Sequence, residues 1–271
     1  MRKVGRSACT LALMGLGIYG IAVGTLYAMQ RNILFIGAGN SCRIWANPPA
    51  GYRIVQLRTA DGLNLKALYR PALPGRSTIL FFHGNGDNAA TGADLFAPSV
   101  AQGHGALLSE YRGYCGNPGS PDEQGLYRDG EAASRWLRDH GVPQSRIVLA
   151  GYSLGTGVAS KIASESRPAG LVLIAAYASI GHAAAQHYPW APARQLVKDQ
   201  FPTIDRIGRV NAPILLLQGA DDRTVFPDNG VALARVRPDA MLMTVPGEGH
   251  TIAFGAVAPI AIRNWLAQER L

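Results

Sequence analysis

A glycine-flanked serine between a strand and a helix constrains the fold of this chain more than any other feature. Residues 146–150 carry a short apolar run that predicts a buried strand, and residues 156–164 carry the small residues of a packed helix. Between them, residues 151–155 read Gly-Tyr-Ser-Leu-Gly. A serine between two glycines at such a junction is the pattern of a nucleophile elbow, in which side chains at Gly151 or Gly155 would collide with the neighbouring strand and helix. The pattern predicts a sharp, strained turn that presents Ser153 as a nucleophile.

A serine hydroxyl needs a base to remove its proton and an acid to orient that base, and in this topology both follow the serine in the chain. The buried strand at 213–218 is followed by Asp221 and Asp222, and the strand at 240–245 is followed by His250. Taken singly, each is equally a solvated turn residue. The ordered trio at strand ends predicts His250 as the base and Asp222 as the acid, with Asp221 as the competitor.

The negative charge that develops on a substrate oxygen requires hydrogen-bond donors that are already in place. The backbone N–H of Leu154 directly follows the candidate nucleophile. The loop at 83–88, after the apolar strand at 78–82, contains two glycines that allow close approach, and it predicts the N–H of Asn85 as the second donor. His83 is a rival base, although a histidine at this position more often braces the loop.

Five segments together resemble the α/β-hydrolase superfamily and, more narrowly, its membrane-anchored Bem46-like branch. They are residues 83–88, 110–114, 151–155, 219–222 and 247–250. The resemblance runs from about Tyr52 to the C-terminus. It implies a cofactor-free serine hydrolase, acting on esters or thioesters of various acyl chains, and it selects Asp222 as the acid. Two positions depart from the family: Glu110 replaces an aspartate, and Cys115 replaces a glycine in the loop at 112–120.

The alternation of apolar and amphipathic segments predicts an α/β fold with an eight-stranded, mostly parallel sheet and helices on both faces. Further strands are predicted near 53–58, 64–70, 105–110 and 170–175, and helices near 91–102, 123–140, 154–165, 227–236 and 256–269. The first two strands suit an antiparallel edge hairpin.

The longest insertion on the active-site side, at about 177–210, predicts a small helical cap. Residues 187–192 supply aromatic side chains stiffened by prolines, and residues 197–207 are expected to pack back on the body. We expect Trp190 to form an apolar acyl pocket with Tyr111 and Phe226. The alternative is that these aromatic residues are only the cap's own small core.

The N-terminal segment predicts membrane attachment. Residues 7–30 carry no charge and are long enough, as a helix, to cross a bilayer core of about 30 Å. Arg2, Lys3 and Arg6 precede this run, so the positive-inside rule predicts a cytoplasmic N-terminus and an extracytoplasmic, periplasmic catalytic domain. We therefore divide the chain into a signal anchor at 1–31 and a hydrolase domain at 32–271. Cleavage of a signal peptide and secretion is the alternative.

Composition argues against several other classes of function. The formal charge is +8, but half of it comes from the N-terminal basic residues that flank the apolar run. The net positive charge of the remaining chain is too small to predict nucleic-acid binding. No cysteine and histidine cluster has metal-ligand spacing, and the loop at 83–88 lacks a nucleotide-binding pattern, so neither a metal nor a cofactor is expected. Cys42 and Cys115 can pair in an oxidising compartment, but two cysteines do not make a disulfide framework.

The expected reaction is two-step acyl transfer to water through an acyl-enzyme on Ser153. A peptidase and a cofactor-free perhydrolase use the same three residues and stay open as alternatives. A third alternative is a membrane-tethered binding protein that has kept the fold without catalysis.

Overall fold

The computed structural model describes the backbone of residues 2–271 and the side chains of residues 11–271. One eight-stranded sheet lies at its centre, in the spatial order β1-β2-β4-β3-β5-β6-β7-β8. The strands are β1 Arg53–Arg58, β2 Asn64–Arg70, β3 Thr78–Phe82, β4 Gly105–Ser109, β5 Ile147–Tyr152, β6 Gly170–Ile174, β7 Ile214–Gly219 and β8 Met241–Val245. Strand β2 pairs antiparallel with β1 and β4, and every other pair is parallel. The predicted α/β architecture and its edge hairpin are confirmed.

Ten α-helices and two short 3-10 helices, Gln144–Arg146 and His250–Phe254, accompany the strands in the described part of the chain. The α-helices are numbered in chain order. They are α1 Arg2–Leu34, α2 Thr91–Leu95, α3 Ala97–Ala101, α4 Glu123–Asp139, α5 Leu154–Ser164, α6 Ile180–His187, α7 Ala193–Leu196, α8 Ile204–Ile207, α9 Asp228–Val236 and α10 Val257–Gln268. The body helices α4, α5, α9 and α10 lie within two residues of the predicted bounds, and α2 and α3 divide the helix predicted near 91–102.

Apolar runs form the central strands because both of their faces are covered. Alternate residues of β3 enter two different hydrophobic clusters: Leu80 and Phe82 contribute to one, and Ile79 and Phe81 to the other. A strand whose successive side chains point to opposite faces can do this only when helices pack on each side of the sheet. All five residues of β3 are consequently buried.

The parallel strands bring their carboxyl ends to one edge of the sheet. The loops that follow β3, β5, β7 and β8 therefore meet at this edge, although their residues are far apart in sequence. The insertion after β6 carries α6, α7 and α8 over the same edge. Its second half packs on the body as predicted, since Phe201 and Ile207 are fully buried.

A disulfide joins the segment that follows α1 to the loop after β4. The bond links Cys42 with Cys115, at a Cα–Cα distance of 4.9 Å. Cys115 has a φ of 48°, in the left-handed region that glycine adopts most easily. This explains how a cysteine can stand where the resembled family has a glycine: the backbone keeps the glycine-like conformation, and the side chain is covalently held.

Candidate active site

Ser153, His250 and Asp222 form a continuous hydrogen-bonded chain at the carboxyl edge of the sheet. The Ser153 Oγ lies 3.0 Å from His250 Nε2. On the other side of the ring, His250 Nδ1 lies 2.8 Å from Asp222 Oδ2. Because the carboxylate accepts the Nδ1 proton, Nε2 is left as the acceptor for the serine hydroxyl. The arrangement is therefore ready to take a proton from Ser153.

The turn that carries Ser153 is strained, and the two flanking glycines permit it. Ser153 has φ 48° and ψ −115°. A Cβ at Gly151 would overlap the backbone of α5, and a Cβ at Gly155 would overlap the carbonyl of Phe82 in β3. Since α5 begins directly at Leu154, the serine stands at the positive end of that helix.

The surroundings of the two candidate acids differ. Asp222 is 1% exposed, and its Oδ1 accepts hydrogen bonds from the backbone N–H groups of Thr224 and Val225, at 2.8 Å each. These two donors fix the carboxylate so that Oδ2 points to His250. Asp221 is exposed to solvent and is not joined to the imidazole. The geometry favours Asp222 as the orienting acid.

Tyr152 holds the backbone of His250 in place. Its hydroxyl donates to the His250 carbonyl at 3.0 Å, and its ring lies 5.6 Å from the imidazole, centroid to centroid. Tyr152 precedes Ser153 at the end of β5, so one strand end positions both the serine and the histidine. The His250 side chain is 20% exposed, which leaves its ring open to the cavity.

The two predicted oxyanion donors line the same cavity as Ser153. The N–H of Leu154 opens α5, and within the described residues no protein acceptor receives it or the N–H of Asn85. The carbonyl of Asn85 accepts from Gly37 N–H at 3.0 Å and from the Tyr114 hydroxyl at 3.1 Å. The loop is therefore held from the outside, while its N–H remains available to a ligand.

His83 sets the orientation of the peptide that carries the Asn85 N–H. Its Nδ1 lies 2.7 Å from the carbonyl oxygen of Gly84, and its Nε2 lies 2.7 Å from Glu110 Oε1. In a trans peptide the C=O and the N–H point in opposite directions. Drawing the Gly84 carbonyl towards His83 therefore turns the Asn85 N–H away from it.

Both neighbours of the His83 ring are acceptors, so both ring nitrogens donate and the ring is an imidazolium. Burial, the largest single effect, lowers the pKa of His83, but Glu110, the Gly84 carbonyl and Asp87 together outweigh burial and raise that pKa above its ordinary value. The ring is completely buried. His83 is therefore a cationic brace beneath the loop, as the sequence suggested, and it lies outside the Ser153–His250 chain.

A largely apolar cavity of about 370 Å³ extends from Ser153 between the cap and α1. The cap contributes small and aliphatic residues, including Ala183, Ala184 and Leu196, and the aromatic rings of Tyr177, His187 and Tyr188. The opposite wall consists of α1 residues, namely Val23, Leu26, Tyr27, Gln30, Ile33 and Leu34. The candidate nucleophile thus lines a groove suited to a hydrocarbon chain.

Sequence comparison identifies relatives along nearly the whole chain. An uncharacterized protein of Mycobacterium tuberculosis is 36% identical over 270 residues, which cover 97% of this chain and 96% of that protein. The alpha/beta hydrolase domain-containing protein 17C of Xenopus tropicalis is 31% identical over 201 residues, or 73% of this chain and 64% of its own length. The alpha/beta hydrolase domain-containing protein aho-3 of Caenorhabditis elegans is 32% identical and matches over 55% of its length. This chain belongs to the α/β-hydrolase superfamily.

Solved structures show the same hydrolase fold. An esterase from Pyrococcus furiosus superposes with a TM-score of 0.64 at 17% identity, covering 86% of this chain and 97% of the esterase. An alpha-beta hydrolase from Vibrio vulnificus gives 0.68 at 22% identity, with 89% and 91% covered. No protein-family model matches the sequence. Membership of the superfamily supports the prediction that this chain is a hydrolase and hence an enzyme. Its assignment to the Bem46-like branch stays a prediction.

The three aromatic residues predicted to form the hydrolase's acyl pocket lie elsewhere. Tyr111 is fully buried and donates its hydroxyl to the His83 carbonyl, so it belongs to the core beneath the loop. Trp190 lies at the outer edge of the cap, 48% exposed, with its ring edge-on to Tyr19 of α1. Phe226 stacks behind His187 at 5.3 Å and is absent from the described cavity wall. We therefore assign none of them to the pocket.

The wall formed by α1 was not predicted from the sequence, because an apolar helix at an N-terminus is interpreted as a membrane anchor. The sequence feature that could have indicated this wall is the placement of Tyr27 and Gln30. These two polar-tipped residues lie three positions apart at the end of an apolar run. Among the described residues no group of three or more metal-binding side chains could hold a metal ion. The described chain contains one helix, with its apolar stretch at Leu11–Leu34, that is long enough to cross a membrane.

Proposed function

We propose that this hydrolase cleaves carboxylic ester or thioester bonds of acyl substrates through an acyl-enzyme on Ser153. The observation that carries the proposal is the position of His250, within hydrogen-bond distance of both Ser153 Oγ and Asp222. The apolar cavity that Ser153 lines supports an acyl group as the part of the substrate that is bound.

In the first half-reaction, His250 Nε2 takes the hydroxyl proton while Ser153 Oγ attacks the carbonyl carbon. The carbonyl oxygen gains the negative charge and is held by the N–H groups of Asn85 and Leu154. When the tetrahedral intermediate collapses, the bond to the leaving oxygen or sulfur breaks. His250 gives its proton to that atom, and the acyl group remains on Ser153.

In the second half-reaction, His250 removes a proton from water, and the water oxygen attacks the acyl carbon. The Ser153–acyl bond then breaks, and His250 returns the proton to Ser153 Oγ. The products are the free acid and an unchanged enzyme. Asp222 stays ionised throughout and stabilises the imidazolium form of His250.

The proposed location is the extracytoplasmic side of a membrane, with residues 1–31 as an uncleaved anchor and 32–271 as the hydrolase domain. The apolar helix and the basic residues that precede it support this orientation. The Cys42–Cys115 disulfide supports it independently, because such bonds persist in oxidising compartments.

The test compares Ser153→Ala with Ser164→Ala, which removes a hydroxyl from the end of the same helix. Full-length protein in detergent is assayed with p-nitrophenyl butyrate and labelled with a fluorophosphonate. We expect Ser153→Ala to lose roughly 10⁴-fold in turnover and all labelling, with Ser164→Ala unchanged. Wild-type turnover by Ser153→Ala would refute the mechanism, and folded wild-type protein that resists labelling would favour the non-catalytic alternative. Hydrolysis of short peptides would identify a peptidase, and formation of peracid from acetate and peroxide would identify a perhydrolase.

A further inference from the structure

The membrane-type helix α1 is part of the candidate substrate site. Its residues Val23, Leu26, Tyr27 and Gln30 recur at spacings of three and four, so they lie on one face of the helix. This face closes the cavity opposite the cap. Residues between them, such as Met29, point away from the cavity and are exposed.

We infer that the acyl chain of the substrate enters from the bilayer leaflet on the side of the hydrolase domain and lies between α1 and the cap. The substrate is thereby a membrane-resident acyl ester or thioester. This inference rests on the proposed function of Ser153 and extends it to the source and path of the substrate.

Polar contacts join α1 to the cap at three levels of the helix. Arg31 donates from Nε to Asp199 Oδ2 at 2.8 Å and from a terminal nitrogen to Oδ1 at 3.1 Å. One residue earlier, the Gln30 side-chain oxygen accepts from the backbone N–H of Lys198 at 2.7 Å. Further towards the N-terminus, the Tyr19 hydroxyl donates to the Trp190 carbonyl at 3.2 Å.

The length of the helix sets the depth of the groove in the bilayer. Arg6 is the last charged residue before the apolar run, and its entry into the hydrocarbon would be costly. A core of about 30 Å needs roughly 20 helical residues, so a core that starts at Ser7 ends near Leu26. Tyr19 then lies about 10 Å inside the leaflet, and its contact with Trp190 carries the cap tip to the same depth.

The surface of the cap agrees with this depth. Trp190, at the tip, is a large apolar side chain that lies outside the cavity and is 48% exposed, as expected of a group covered by lipid. Lys198 is exposed, and its ammonium lies 4.2 Å from the Tyr27 ring, at the level where lipid headgroups begin. The apolar tip of the cap and the basic side chain of Lys198 are therefore separated along the membrane normal.

The groove connects that leaflet to the candidate nucleophile. From Val23 to Leu34 its α1 wall is about 16 Å long, comparable with an extended long-chain acyl group. Leu26 stands at the calculated boundary of the hydrocarbon, and Ser153 lines the same cavity. A chain that stays in the leaflet at its methyl end could thus present its carbonyl to Ser153.

The test uses full-length protein in nanodiscs and compares Leu26→Trp with Met29→Trp. Both variants place an indole on α1, one into the groove and one on the face that points away from the groove. The measured quantity is the ratio of kcat/KM for p-nitrophenyl palmitate to that for p-nitrophenyl butyrate. We expect Leu26→Trp to lower this ratio about tenfold or more and Met29→Trp to leave it unchanged. A small fluorophosphonate checks that the site is intact, and Val23→Phe replaces Leu26→Trp if labelling is lost.

A second arm tests the source of the chain. Palmitate ester is placed either in the enzyme's own nanodiscs or in a separate nanodisc population at the same total concentration. We expect the wild type to hydrolyse the co-embedded ester at least about tenfold faster, because of its higher effective concentration. Equal rates in this arm, or equal ratios for Leu26→Trp and Met29→Trp, overturn the inference while Ser153-dependent butyrate turnover stands. Turnover that does not depend on Ser153 overturns the proposed function itself.

Discussion

His83 and Glu110 form a buried ion pair directly beneath the loop that carries Asn85, with 2.7 Å between His83 Nε2 and Glu110 Oε1. The second oxygen of Glu110 accepts the N–H of Ala89 at 2.9 Å, so the pair also ties down the far end of the loop. The predicted oxyanion donor therefore depends on a charge that belongs to neither Ser153 nor His250.

The raised pKa of His83 predicts a pH dependence of stability. An unfolded histidine releases its proton near pH 6.5, whereas the folded protein keeps it to higher pH. The folded state then binds more protons, and the free energy of unfolding falls as pH rises through the folded pKa. We expect His83→Gln to lose this dependence, which reaches at most about 1.4 kcal/mol per pH unit. Urea unfolding of both proteins between pH 6 and 9 measures it; parallel curves would contradict the charged form.

Replacing the Asp222 carboxylate with an amide should test its role in orienting His250 and accepting the Nδ1 proton of that ring. Asp222→Asn keeps an oxygen for the N–H groups of Thr224 and Val225, but its amide would favour the wrong tautomer of His250. We expect kcat for butyrate ester to fall by roughly 10⁴-fold with little change in melting temperature. Asp221→Asn is the matched control, since that neighbouring side chain is exposed, and it should retain activity. A larger loss in Asp221→Asn would reverse the assignment of the acid.

The disulfide should stabilise the hydrolase domain by restricting its unfolded chain. It closes a loop with a sequence separation of 73, and removal of such a link typically lowers the free energy of unfolding by about 2–4 kcal/mol. We expect this loss in the Cys42→Ser/Cys115→Ser double variant, measured by urea unfolding. Dithiothreitol should reproduce the loss in the wild type and have no further effect on the variant. A variant as stable as the wild type would exclude this role.

The central sheet and the Ser153, Asp222 and His250 cluster could be predicted because the physics that forms them is local in sequence. The strands from β3 to β8 are apolar runs bounded by turns, and each of the three polar side chains follows its strand within a few residues. Once parallel strands are inferred, their carboxyl ends must meet, and the order of Ser153, Asp222 and His250 in the chain indicates which residues come together.

The substrate pocket could not be predicted in the same way because its walls depend on tertiary packing. Trp190 has the large aromatic side chain expected of a pocket residue, but the backbone of the cap places its ring at the outer edge, against Tyr19. Tyr111 follows a strand that ends beneath the loop, so its ring is enclosed by the core. The wall formed by α1 depends on Arg31 meeting Asp199, 168 positions later in the chain, and no local pattern specifies that contact.

The contact between Arg31 and Asp199 should control how firmly α1 is held to the cap. The Asp199 side chain is 4% exposed, and it also accepts the N–H of Glu123 at 2.9 Å. Its neutralisation in Asp199→Asn leaves the half-exposed Arg31 guanidinium with only the more distant carboxylate of Asp122, at 3.9 Å. Because solvent can reach that guanidinium, we expect a loss of about 1–3 kcal/mol in the free energy of unfolding rather than the larger cost of a fully buried pair.

The same variant should loosen the groove locally. The N–H of Lys198 is protected by its hydrogen bond to Gln30, so its hydrogen exchange should accelerate in Asp199→Asn while the amides of β5 remain protected. Asp205→Asn, an exposed aspartate in α8, is the matched control and should leave both stability and exchange unchanged. If exchange at Lys198 is equally slow in both variants, α1 is held to the cap by its apolar face and not by the ion pair.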